Sequence, residues 1–213
     1  MRLPYSTPRS PPDAITQRLI TRRHPRPLLS LDLTLLHAPP VADGWNTFLG
    51  SIRTQTSLSE SIRELAICRV AVLNGAAYEW THHVPLLERG LRSEGDGEGL
   101  DSVVRVVRDE EVYRRREMGG GDSSEKRPLG LSEKQQAVMD YTDQMTIGCK
   151  VDDEVFERVK SHFSEKEVVE LTATVACYNC VSRFLVALDV GEMNGTIIGK
   201  GEGEKKEEKA AES

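Results

Sequence analysis

The stretch Ser57-Leu58-Ser59-Glu60-Ser61-Ile62-Arg63-Glu64-Leu65-Ala66-Ile67-Cys68-Arg69-Val70-Ala71-Val72-Leu73, followed by Asn74-Gly75-Ala76-Ala77-Tyr78-Glu79-Trp80-Thr81-His82-His83, decides how this chain folds. Ser57 and Glu60 have the spacing of a capping box, in which a hydroxyl and a carboxylate satisfy free N–H groups at the start of a helix. Ile62, Leu65, Ala66, Val70 and Leu73 then recur at helical spacing, and Asn74-Gly75 supplies the stop. The pattern predicts a helix, a tight turn and a second helix from about Ala77 to Arg89, ending at Gly90. Further along, Val103, Val104, Val106 and Val107 mark a third helix over about Leu100 to Tyr113, and Ser132 opens a fourth running towards Ile147. Asp152 or Asp153 caps a fifth to about His162, and Ser164 with Glu167 caps a long sixth reaching Asp189. No run alternates with period two between hairpin turns, so no strand is expected. The expectation is an all-α, single-domain helical bundle of six or seven helices over residues 31–195.

At 213 residues the chain suits one domain. Residues 1–30 carry Arg2, Arg9, Arg18, Arg22, Arg23 and Arg26 against Asp13 alone, with six prolines among them. They read as an irregular N-terminal arm; the alternative, a mitochondrial presequence, conflicts with prolines that break amphipathic helices. Residues 114–127 read as a surface loop around a triple glycine, and 196–213 as a disordered charged tail. A net charge of −6 lacks the basic excess of a nucleic-acid partner, and no apolar run approaches the roughly 20 residues of a membrane span. Four cysteines are too few for a disulfide scaffold, which points to reduced thiols and a cytoplasmic setting. With 5% aromatic residues the bundle buries limited area alone, so a homo-oligomer is expected.

The densest chemistry lies on the second helix. Glu79, His82 and His83 stand at i, i+3 and i+4, and a tight turn after the first helix brings Glu64 towards the same face. Two carboxylates and two imidazoles then share a small volume; the plainer alternative is an exposed Glu79/His83 pair with Glu64 in solvent. Trp80, one step from Glu79, points about 100° away and is expected in the core or an interface. Cys177-Tyr178-Asn179-Cys180 has a redox spacing, but Phe184 and the flanking valines and leucines make it read as two buried small hydrophobes in a core helix. Glu79-x-x-His82 has no second Glu-x-x-His to complete a di-metal bundle site, so no metal and no cofactor are expected.

These two blocks, Arg63 to Ala71 and Asn74 to His83, with Tyr178-Asn179-Cys180-Val181-Ser182-Arg183-Phe184 later, resemble the carboxymuconolactone decarboxylase family. The resemblance implies the all-helical fold of alkylhydroperoxidase D proteins, oligomeric assembly, and a setting in aromatic catabolism or a natural-product pathway. In the peroxidase branch a Glu stands twelve positions before the first redox Cys and a His four after the second. On this chain those positions are Glu64 and His83, while the thiol positions are Ala76 and Glu79. Without thiols there is no nucleophile for a peroxide oxygen. The resemblance therefore implies a cofactor-free acid/base lyase decarboxylating a small carboxylated lactone or keto acid. His83 is the expected proton donor, held by Glu79 or Glu64, with Tyr78 as relay or anchor. Arg69 or Arg183 would hold the substrate carboxylate, with His82 a further binding candidate or else facing the core or a partner subunit. The alternatives are a thiol oxidoreductase using Cys177 and Cys180, and a non-catalytic oligomeric small-molecule-binding protein.

Overall fold

The structure is a computed structural model that describes residues 1–95, 100–109 and 130–198. Among these, nine α-helices and a short 3-10 turn form the fold, and no strand occurs. The helices are α1 (Ala14–Arg23), α2 (Ser30–Leu35), α3 (Pro39–Thr54), α4 (Glu60–Leu73) and α5 (Ala77–Ser93). They continue with α6 (Leu100–Arg108), α7 (Glu133–Ile147), α8 (Asp153–His162) and α9 (Glu165–Leu188), and the turn is Val190–Glu192. The all-α expectation holds, with two helices more than its upper count.

Helix α4 is the centre, with all but three of its residues buried and α5, α7 and α9 packed around it. Each fully buried leucine or isoleucine on it contributes roughly 1.5–3 kcal/mol over an exposed one. Its cap is Ser59, not Ser57: Ser59 Oγ accepts from the Ile62 N–H, while Ser57 binds Glu170 of α9 through its hydroxyl and its N–H. Glu60 is thereby free to pair with Arg89 on α5.

Helices α4 and α5 form an antiparallel hairpin. Gly75, at φ 63°, makes the left-handed turn between them, and Asn74 ties that turn to α9 through Nδ2 to Ser182 Oγ at 2.7 Å. At the other end Glu94 accepts from the Ser61 N–H and hydroxyl. Gly90 does not end α5, which runs on to Ser93. It is where the two backbones touch, since a Cβ there would lie 2.6 Å from Ser61 N.

Residues 1–30 are not irregular throughout. The prolines flank a proline-free window, and within it Asp13 accepts from the N–H groups of Ile15 and Thr16 to start α1, which buries Leu19. The segment before it docks on the end of α9, with the Met1 ammonium 2.9 Å from Asp189 and Arg2 N–H donating to Leu188 O. Helix α3 opens with Pro39 at its first turn, where a missing N–H costs nothing, and turns Ala42, Leu49 and Ile52 inward. Helix α9 is long and apolar enough by length and composition to cross a membrane; its inner face is buried against α3, α4, α5, α7 and α8. The surface-loop expectation for 114–127 and the tail from 199 onward lie outside the described residues.

Candidate active site

Glu64 sits mid-way along α4 and His83 on α5, and the hairpin brings them together: His83 Nδ1 lies 2.7 Å from Glu64 Oε2, with both residues buried. Arg63 holds the other oxygen of Glu64, donating from Nε at 3.2 Å. Burial depresses the His83 pKa and outweighs the hydrogen bond with Glu64, which raises it. With Nδ1 turned to Glu64, Nε2 is the ring nitrogen left for a substrate, and burial favours the uncharged ring, which suits a base better than the expected donor.

Glu79 behaves in the opposite way. It stands one helical turn before His83, is 2% exposed, and neither carboxyl oxygen has a hydrogen-bond partner. Burial drives its pKa well above the ordinary carboxylate range, the positive charge of Arg53 countering it only in part. The surroundings of Glu79 thus favour the neutral acid, and the carboxyl that binds His83 is that of Glu64.

Two residues with no assigned role in the sequence complete the cluster. Tyr178 of α9 is fully buried, stands edge-on to His83 with ring centroids 5.0 Å apart, and accepts a hydrogen bond from Arg53 Nε at 2.8 Å. Burial raises its phenol pKa, again against Arg53, so it stays protonated and keeps an O–H to donate. Arg53, on the last turn of α3, is the cation of this site. Tyr178 stands in the sequence as a spacer of the C-x-x-C and within the later stretch of the family resemblance, with no chemistry assigned to it, and Arg53 lies in a helix that the apolar pattern does not announce.

The two arginines expected to hold a substrate are elsewhere. Arg69 is completely buried and doubly paired with Asp143, with Nη2 to Oδ2 at 2.9 Å, and it also donates to the Val107 and Asp109 carbonyls. It is a structural ion pair whose charge is already neutralised. Arg183 is exposed, bonded to Asn179, and lines a different groove with Cys149 and Cys180. His82 is exposed, stacks on Tyr78 with centroids 4.3 Å apart, and bonds the Tyr78 carbonyl through Nδ1. Tyr78 is half-buried and packs towards the 190–192 turn, against Gly191, outside the Glu64/His83 contact. Trp80 is packed in the core. Of the cysteine pair only Cys177 is buried, its thiol pushed up to about 12 by burial; Cys180 is exposed, so the pair is not the two core hydrophobes expected. Among the described residues no three His, Cys, Asp or Glu side chains gather as a metal site would require.

Residues 39–95, which span α3 to α5 and hence Arg53, Glu64, Glu79 and His83, match the model of the carboxymuconolactone decarboxylase family. That match covers 57 of the 213 residues. No functionally curated protein matches it. Among solved structures it is similar to the alkylhydroperoxidase AhpD core of a peroxidase-related protein from Ralstonia eutropha JMP134, with TM-score 0.65, 18% identity, 89% of this chain and 90% of that one covered. A peroxidase-related protein from Silicibacter sp. TM1040 gives TM-score 0.62 at 16% identity, covering 92% of this chain and 94% of that one. The debrominase Bmp8 gives TM-score 0.65 at 13% identity, covering 89% and 91%. The fold is therefore AhpD-like, and a fold alone does not select a reaction.

Proposed function

We propose that the Glu64, Glu79, His83, Tyr178 and Arg53 cluster is the acid/base centre of a cofactor-free enzyme, and that its reaction is decarboxylation of a small carboxylated lactone or keto acid. The observation that carries this reading is Glu79: a buried carboxyl with no partner for either oxygen among the described residues, in surroundings that favour its neutral form. A proton donor at neutral pH needs such an environment, since an ordinary exposed glutamate has already lost its proton. In the reaction the bond from carbon to the carboxylate breaks, CO2 leaves, and the electron pair stays on the substrate as an enolate. Tyr178 donates its O–H to the enolate oxygen, with Arg53 beside it to oppose the growing negative charge. Glu79 delivers its proton to the carbon and regains one from water. His83, its tautomer fixed by Glu64, takes a proton from a substrate hydroxyl or acidic C–H where the substrate requires it. Ala76 and Glu79 at the thiol positions argue against peroxide chemistry here.

The test is CO2 release from a panel of aromatic-derived lactones and β-keto acids. The parent should release CO2 from at least one, and Glu79→Gln should lose at least a hundredfold in kcat, within the usual range of a general acid. If Glu79→Gln and His83→Gln both match the parent on that substrate, the acid/base centre is refuted and a binding protein becomes the better reading.

A further inference from the structure

Arg53 has a second side. Its Nε is committed to Tyr178, but its terminal nitrogens have no acceptor among the described residues. The same guanidinium lines a cleft between α1, α2 and α3. Arg22 and Arg23 reach this cleft from α1, and one carboxylate answers both: Asp32 lies 3.1 Å from Arg22 and 2.7 Å from Arg23. Three guanidinium groups against one carboxylate leave the cleft two positive charges in excess. Burial, and after it the like charge of Arg23, holds the Arg22 guanidinium below its ordinary pKa. A further donor on the lining, Trp45 Nε1, is buried without a partner among the described residues. Unspent donors and surplus positive charge in one partly desolvated place are costly unless an anion completes them.

We propose that this cleft binds the carboxylate head of a small organic acid, with Arg53 and Arg22 as its charged partners and Trp45 Nε1 as a neutral donor. The donors select the head group. Guanidinium groups match a carboxylate through paired N–H donors, as the Arg23 contact with Asp32 shows with a second bond at 3.1 Å. The acid bound here is the substrate's own carboxylate only if the acid/base reading above holds. In that case Arg53 anchors one end of the substrate and stabilises charge through Tyr178 at the other. Binding itself does not depend on turnover.

Isothermal titration calorimetry on the full chain tests this with three probes: benzoate, benzamide and inorganic phosphate. Benzoate should bind saturably. Benzamide, which has the ring without the charge, and phosphate should each bind at least tenfold more weakly. Arg22→Gln, at the mouth of the cleft, should weaken benzoate about tenfold, the value of one charge-assisted hydrogen bond. Trp45→Phe, which keeps the ring against Phe184 and removes the N–H, should weaken it severalfold. Equal binding of benzamide, stronger binding of phosphate, or unchanged benzoate affinity in both variants would overturn the proposal. Benzoate binding that responds to Arg22→Gln in a protein whose turnover ignores Glu79→Gln would sink the acid/base reading and leave the carboxylate cleft standing.

Discussion

Glu79→Gln keeps the volume of the side chain and removes its ionisation, so it isolates the feature on which the proton donor rests. In the unfolded chain Glu79 titrates near its ordinary value of 4.5, whereas burial holds the folded-state value well above it. Between those two values the folded protein retains a proton that the unfolded chain has released. The folded state binds more protons, so its stability falls as pH rises, by about 1.4 kcal/mol for each pH unit. The variant has no such slope. The stability gap between variant and parent should therefore widen in favour of the variant as pH rises above the ordinary carboxylate value, by up to about 1.4 kcal/mol per pH unit. His83 works in the other direction, because burial depresses its folded value and the stability linked to it grows with pH. That contribution is common to both proteins and cancels in the difference. Urea unfolding at several pH values and fixed ionic strength measures the gap, with equal m values confirming that the unfolded states match. Parallel curves for the two proteins would mean that Glu79 is ionised in the fold, and the donor assignment would fall with it.

Gly90→Ala should lower stability by about 1–3 kcal/mol despite alanine's better helix propensity, because the added Cβ meets the Ser61 backbone and forces α4 and α5 apart; an unchanged melting temperature would show that the helices do not approach so closely. Helix α9 leaves a stripe of Val169, Ala173, Ala176, Cys180 and Ala187 on its outer face, with Val169 68% exposed. Light scattering at micromolar concentration should give at least twice the chain mass, with a second copy covering this face, and a monomer mass would refute it.

The sequence shows six of the nine described helices because each has a local start signal and an apolar stripe, as at Ser132, Ser164 and the Ile62 to Leu73 run. The other three are α1, α2 and α3. Prolines hide α1 by their number, although they stand outside it, and α3 is masked by Pro39, Pro40, Gly44 and Gly50. The Glu64/His83 contact was legible because a helical hairpin with a tight turn fixes which residues meet across it. The ionisation states were not: whether Glu79 or His83 carries the proton depends on burial supplied by α3 and α9, distant in sequence. Arg69 misleads for the same reason. Its partner Asp143 lies on α7, and no local spacing reveals that the charge is spoken for.

The division of the Arg53 cleft between chain segments has an evolutionary consequence. Residues 39–95 hold Arg53, Glu64, Glu79 and His83, while Arg22, Arg23 and Asp32 come from the segment ahead of that block. Selection can therefore act on the two halves separately. If both proposals hold, changes confined to α1 and α2 would alter the acid accepted while leaving Glu64, Glu79 and His83 in place, and a chain without α1 would lose two of the three positive charges that surround the cleft.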